Sequence, residues 1–432
     1  MKHTLRNKHY QLAAIIIITI VAFYPTLFNQ FQMLWDDQVH VVNNPFIKTW
    51  SADYLIEIFT TPYGYQYSPV NTIVWLITHS MFGLSPMAFH AVSLLLHIIN
   101  VVLVFIFIRA ILNQSEKYKP VSDILATITA LVFAIHPVQV EAVAWVSANK
   151  VVLHAIFYWA GLLTYISYLK GKKLSRLIIT MLLFILSFGA KEQAILFPLS
   201  LLIIDWYYGV LSQKRVLLLK IPFFVVALLL GYASLVIFDR TGNGGHQFYP
   251  LYQRLVLGAF SYFEYLFKIL IPVRVSYLYF FPIKIGEPLP LHFYLYPILA
   301  ILIVWYVWEQ FYKKERRTVV FGLLLFTVHL SLFLHIIPLG RAGMIADRYV
   351  YMALPGLILT LTVFIWDYVN KHKKAIPFAI SAAAIYILTL TVQTHLQTES
   401  WHDSTTLKKE LKEQINKAKK ERNLPIDEKD DI

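Results

Sequence analysis

The chain contains no cysteine, and only 15% of its 432 residues are charged. The first absence excludes a disulfide framework, a thiolate metal site and a cysteine nucleophile, and it suits an oxidising outer compartment. The second excludes an ordinary soluble domain of this length, which needs far more charged surface. Glycine is sparse too. The one glycine-rich stretch, RTGNGGH at 240–246, has neither the Lys-Ser/Thr of a phosphate loop nor a flanking βαβ pattern, so it reads as a plain loop. Acidic residues number 25 against 38 Lys and Arg, a net charge of +13. Much of that excess lies in short loops between apolar runs. Such a distribution signals topology and lipid-headgroup contact rather than nucleic-acid binding.

What remains is apolar: 58% hydrophobic and 16% aromatic residues, with a mean hydropathy of +0.58. A polytopic, all-α membrane protein follows. The first run, Leu12–Phe28, comes after Lys2, Arg6 and Lys8. Phe23-Tyr24-Pro25 stands where a signal peptide would carry small residues, so the run is expected to be an uncleaved span with its N-terminus inside. Further apolar runs lie at 88–112, 122–136, 151–169, 174–189, 193–209, 216–238, 254–271, 291–311, 318–337, 350–368 and 375–394. Positive clusters at Lys117–Lys119, Lys170–Arg176, Gln213–Lys220, Tyr312–Arg317 and Lys371–Lys374 are assigned to the cytoplasm. That leaves 30–86, 137–150, 190–192, 239–253 and 338–349 outside. A simple crossing by 254–271 would put Lys313, Lys314, Arg316 and Arg317 outside. The proline-marked 254–290 stretch (Pro272, Pro282, Pro288, Pro290) is therefore expected to hold an outer-leaflet or re-entrant helix, or two short crossings. The expected total is about eleven spans in an inner, cytoplasmic membrane. Residues 1–398 form the membrane domain with a large first outer loop at 30–86. Residues 399–432 form a charged, outer tail, where Glu413 and Lys417 have helix-supporting spacing.

Ionisable groups at a bilayer edge are costly and so are functional candidates. Here they gather on the predicted outer side. WDD supplies Asp36 and Asp37, HPVQVEAVAW supplies His136 and Glu141, and SANK supplies Lys150. GAKEQA adds Lys191 and Glu192, Asp239 and Arg240 follow, and GRAGMIADRYVYM adds Arg341, Asp347, Arg348, Tyr349 and Tyr351. Carboxylates beside strong phosphate binders suit transfer of a group from a phospholipid-like donor. A carboxylate takes a proton from an acceptor hydroxyl, and Arg or Lys stabilises charge growing on a leaving phosphate. Simpler readings stand beside this one. Asp36 and Asp37 would serve as helix caps, and Lys150, Arg341 and Arg348 as snorkelling anchors. His79, His90 and His97 share a helical face without a completing ligand and read as packed core residues.

Five stretches in the same order resemble the transmembrane and TPR-repeat-containing O-mannosyltransferases and their bacterial relatives. They are LWDDQVHVVNNP, YSPVNTIVWLITHSMFGLSPMAFHAVSLLLHIIN, FAIHPVQVEAVAWVSANKVVLHAIFY, SFGAKEQAILFPLSLLIIDWYYG and MIADRYVYMALPGL. TESWHDSTTL at 398–407 is similar to the junction before that family's TPR array. The resemblance implies a GT-C glycosyltransferase fold and an inverting hexosyltransferase, for mannose or a similar sugar. It implies a polyprenyl-phosphate-linked donor and an active site at the outer membrane face. Asp36 or Asp37 falls where the general base is expected. Lys191 and Arg348, helped by Lys150 or Arg341, fall where the donor phosphate is expected. His136, Glu141, Glu192, Asp347, Tyr349 and Tyr351 fall in substrate-contacting motifs. Ser68-Pro69-Val70 replaces the family's frequent Arg-Pro-Leu, and Val151 stands where a polar residue is common. Only about thirty residues follow the WHD junction, too few for a TPR array, so the expected acceptor is a lipid, a glycan or a separately supplied protein. The oxygen ligands of the acidic pair suit a divalent cation such as Mg or Mn, but two carboxylates alone make a poor site, so metal dependence stays open at this point. A lipid-linked-sugar flippase or a non-catalytic membrane scaffold is the alternative. A flippase would carry internal repeats and midplane charges, and a scaffold would have dispensable Asp36 and Asp37.

Overall fold

A computed structural model describes residues 2–64, 66–240, 248–272, 279–337 and 343–421. The glycine-rich 241–247 stretch and Arg341 lie outside the described residues, and the Asp239 and Arg240 side chains are likewise not described. Helices account for the architecture. Among the described residues the only β features are two isolated bridges, Tyr63 with Gln66 and Tyr279 with Ile345.

The chain opens with α1 (Lys2–Phe23). The first long connection follows, carrying α2 (Ala52–Thr60) and α3 (Pro69–Phe82). Next come α4 (Pro86–Leu112), α5 (Ser122–Ile135), α6 (Val140–Ala144), α7 (Asn149–Gly171) and α8 (Leu174–Ala190). Beyond these lie α9 (Phe197–Tyr207), α10 (Lys214–Leu218), α11 (Ile221–Arg240), α12 (Leu251–Leu270) and α13 (Leu295–Val307). The last four are α14 (Arg317–Leu330), α15 (Leu354–Lys371), α16 (Ile376–Glu399) and α17 (Ser404–Glu421). Six stretches are long and apolar enough to cross a membrane: His9–Phe28, Pro86–Leu112, Val146–Gly171, Lys214–Ile237, Leu291–Tyr312 and Lys373–Glu399. The protein is a multi-pass membrane protein. Its count of crossings is six by this measure, or seven with one bent pair, where the sequence pattern led us to expect about eleven.

Local sequence explains where elements start and stop. Ser51 and Ser85 cap α2 and α4 by accepting from Tyr54 N and Ala88 N. Pro69, Pro86, Pro355 and Pro377 occupy first-turn positions, where the missing N–H costs nothing. The short run at 122–136 ends because Pro137 forces His136 into an extended conformation (φ −76°, ψ 131°). The chain then bends by 57° into α6. That bend carries Glu141 away from the α5 axis and toward the site.

The tightest pairings are α7 with α8, α14 with α15, α4 with α5 and α4 with α7. α14 and α15 touch through glycines. A Cβ at Gly322 would sit 2.5 Å from Gly356 O, and one at Gly356 would sit 2.5 Å from Gly322 O. Without a water-driven hydrophobic term in lipid, such small-residue contacts let dispersion forces hold helices together. The α14–α15 hairpin carries the 331–353 segment at its tip, and that tip holds Asp347, Arg348 and Tyr349.

α12 buries Gln253, Val256, Leu257, Gly258, Ser261, Tyr265, Lys268 and Ile269, one face at helical spacing. At one end Arg254 donates to Ile336 O (2.8 Å); at the other the Tyr265 hydroxyl accepts from Ala346 N (3.2 Å). Both ends therefore reach described residues of the connection between α14 and α15. Most of 271–290 has no helix among its described residues.

The connection between α1 and α4 has its own small core of Phe31, Val41, Phe46, Ile47, Ile58, Trp75 and Leu76, closed by Phe89 and Val146. The tail is less detached than its charge pattern implies. α17 forms as expected, but Trp401, Leu407 and Leu411 are buried. Each leucine contributes roughly 1.5–3 kcal/mol of burial to docking that helix.

Candidate active site

The two aspartates of WDD divide. Asp37 is fully buried, and its carboxylate accepts from Gln32 N (2.9 Å), Ser147 N (2.8 Å) and the Ser147 hydroxyl. It makes no capping bond to the helical turn that follows. Instead it ties the first loop to the start of α7. Burial, only partly offset by those hydrogen bonds, lifts its pKa from 3.8 to about 6. Asp36 is half-buried and accessible. Its charge acts on His40, Lys150 and Arg348, which places it between its near neighbour His40 and the cations of two distant segments.

Arg348 is the best-anchored of these cations. Its backbone N–H donates to Glu141 Oε2 (2.8 Å), and its guanidinium pairs with Glu141 Oε1. The side chain keeps 25% exposure while Glu141 keeps 6%. Burial disfavours the charged guanidinium. Glu141, Tyr349 and Asp36 outweigh it and push the Arg348 pKa above its ordinary value. The guanidinium lies 5.3 Å from the Trp145 ring and 4.9 Å from the Tyr349 ring. Tyr349 in turn stacks on Phe333 at 3.9 Å, with planes 5° apart. The buried Lys191 ammonium is 5.6 Å from Tyr349 and 5.9 Å from Phe333. Cations and aromatic faces thus alternate along one wall.

Lys150, in the first turn of α7, donates to Gln66 Oε1 and feels Glu192, Arg348 and Asp36. Glu192 itself is exposed. Gln66 belongs to a turn in which Tyr63 and Gln66 exchange backbone bonds of 2.9 and 3.0 Å. Gly64 in that turn has φ +55° and lies against His40, where a Cβ would be 2.6 Å from the ring. Gly64→Ala should lower stability by about 1–2 kcal/mol through backbone strain and displacement of the imidazole, read as a drop in thermal midpoint. A small, water-sized cavity of about 20 Å³ is lined by His40, Asn44, Tyr63, Gln66, Thr72 and Trp75 among others. Burial and the Lys150 charge lower the His40 pKa to about 4, against the opposing pull of Asp36. The cavity therefore presents a neutral imidazole.

Other residues singled out from sequence lie beneath this wall. Asp347 is buried and accepts from the Tyr279 hydroxyl at 3.1 and 3.2 Å. Burial lifts its pKa from 3.8 to about 7, against the pull of Lys268. His136 is buried, bonded to Ile269 O (2.9 Å) and to Val138 N. Tyr351 is buried against His97 (2.7 Å), whose other nitrogen meets Ala134 O. These groups support the site rather than line it. Sequence reasoning passed over Ser147, Trp145, Gln66, Trp401 and His40. Only His40 carried a signal, since it stands four residues after Asp36 and shares a helical face with it.

Asp37 and Asp347 have a common consequence for stability. The folded state binds their protons more tightly than the unfolded chain, between pH 3.8 and about 6 for Asp37 and between 3.8 and about 7 for Asp347. Their stabilisation is complete below that window and declines as pH rises through it. In Asp347→Asn the thermal midpoint should fall less steeply than wild type across the same window.

A divalent cation finds a poor donor set here. Both oxygens of Asp37 and both of Glu141 already accept hydrogen bonds. Among the described residues no group of three or more His, Asp or Glu could hold a metal. Of the acidic pair that leaves Asp36, and one carboxylate does not make a site.

No family model matches the chain. A Caenorhabditis elegans protein O-mannosyl-transferase is 24% identical over 197 residues, covering 43% of this chain and 26% of that protein. Human protein O-mannosyl-transferase TMTC1 is 28% identical over 147 residues (32% of this chain, 16% of that protein). Human protein O-mannosyl-transferase TMTC4 is 29% identical over 171 residues (36% and 22%). The alignments thus span about a quarter or less of those relatives. Among solved structures, the Archaeoglobus fulgidus oligosaccharyltransferase, tethered to an acceptor peptide, aligns with 91% of this chain and 55% of its own at 13% identity and a TM-score of 0.45. In sequence, the chain is similar to the protein O-mannosyl-transferases.

Proposed function

We propose that this protein is a membrane glycosyltransferase of the GT-C type. It moves a hexose from a polyprenyl-phosphate-linked donor to an acceptor hydroxyl at the extracytoplasmic face. One observation carries the reading: half-exposed Asp36 shares a site with Arg348 and Lys150, brought together from three distant segments. The names of the relatives favour mannose as the sugar and a protein hydroxyl as the acceptor.

In this mechanism Asp36 takes the proton of the acceptor hydroxyl as its oxygen attacks the anomeric carbon. The bond from that carbon to the phosphate oxygen breaks, and the configuration inverts. The electron pair leaves with the phosphate, whose growing charge meets Arg348, Lys150 and Lys191. Glu141 anchors Arg348 through its backbone N–H and one guanidinium nitrogen, which leaves the other guanidinium N–H groups for a phosphate oxygen. Asp37 positions Asp36 by holding the loop to Ser147. No step is routed through a metal.

Equilibrium binding tests the donor assignment. Purified protein in nanodiscs should bind a polyprenyl-phosphate-linked hexose saturably, and Arg348→Ala should weaken that binding. Equal, unsaturable uptake by both would refute it.

A further inference from the structure

We propose that Trp401, in the segment joining α16 to α17, is a positioning residue for Arg348, and that this junction clamps both halves of the site. The inference rests on the phosphate-binding role given to Arg348 above. Trp145 is the aromatic face beneath the guanidinium, yet among the described residues its indole N–H has no hydrogen-bond partner. Packing alone must therefore set the plane of that ring. Trp401 supplies it: the two indoles stack at 5.7 Å with planes 23° apart, and Trp35, next to Asp36, meets Trp145 edge-on at 6.3 Å. Trp401 is 2% exposed.

The same segment grips the chain that leads into Asp36. Gln32 Nε2 donates to Trp401 O (2.8 Å) and Asn29 Nδ2 to Thr398 O (3.0 Å). Gln30 N donates to His402 O (2.7 Å), and Leu34 N to the Ser404 hydroxyl (3.2 Å). One short segment, some 370 positions away in sequence, thus touches the base-bearing loop and the ring under the phosphate-binding arginine. α17 itself is docked separately, through buried Leu407 and Leu411, so the junction's hold on the two halves of the site can be tested apart from the helix that follows it.

The test compares Trp401→Leu, Trp401→Phe and Leu407→Ala. The last loosens α17 without entering the stack. Trp401→Leu should raise the donor KM and the Kd for polyprenyl phosphate roughly three- to tenfold, the size of a lost cation–π arrangement, with acceptor KM unchanged. Trp401→Phe, which keeps a ring, should recover most of this. Amide hydrogen exchange across 343–350 and 29–37 should quicken in Trp401→Leu and not in Leu407→Ala. The proposal is overturned if Trp401→Leu behaves like Leu407→Ala, losing stability with no change in donor KM or in exchange at 343–350. Quickened exchange in a protein that binds no polyprenyl phosphate even as wild type would keep the positioning role and reject the donor assignment.

Discussion

Asp36→Asn should slow sugar transfer about 10²–10⁴-fold, the usual contribution of a positioned general base, while donor binding and thermal stability stay near wild type. The amide keeps the shape but cannot take the acceptor's proton, and among the described residues half-exposed Asp36 makes no hydrogen bond whose loss would unsettle the fold. Asp37→Asn should behave in the opposite way. Its carboxylate accepts from three donors, so an amide nitrogen must face one of them. A loss of about 1–3 kcal/mol follows, with activity falling in step with the folded fraction. Steady-state kinetics and thermal melts on the two variants separate the roles. Equal kinetic defects at equal stability would mean that the aspartates share one function.

Arg348→Ala should cost both activity and stability. Removing one preorganised donor to a leaving group typically costs about 10²–10³ in kcat. It also leaves Glu141, nearly buried, without its cation, a loss on the order of 3 kcal/mol. The double variant Arg348→Gln with Glu141→Gln removes both charges and should recover much of the stability without the activity. A thermal midpoint that rises while transfer stays absent would separate the ion pair's structural role from its catalytic one. Recovery of transfer in the double variant would mean that Arg348 does not contact the phosphate.

The membrane architecture was legible in the sequence because lipid imposes it: long apolar runs must be helices, and lysine-rich loops must lie between them. The gathering of Asp36, Lys150, Lys191 and Arg348 on one side was legible for the same reason, since topology alone assigns sides. Partners were not. Nothing in HPVQVEAVAW says that Glu141 will take two bonds from Arg348, 207 positions away. Nothing in WDD separates the aspartate that Ser147 buries from the one left open, because tertiary contacts at long separation decide that. The tail misled for a related reason. Its charge density reads as solvated helix, whereas Trp401, Leu407 and Leu411 occupy one buried stripe. The bend at His136-Pro137, by contrast, follows directly from proline's effect on the residue before it.

The central claim is that one outer-face site pairs an aspartate base with cations that carry a lipid phosphate. Sugar transfer by the purified protein in proteoliposomes tests it most directly, using radiolabelled polyprenyl-phosphate mannose and a hydroxyl-bearing acceptor peptide. The account predicts labelled acceptor and released polyprenyl phosphate in equal amounts, both abolished by Asp36→Asn and by Arg348→Ala. Wild-type rates in both variants would contradict it.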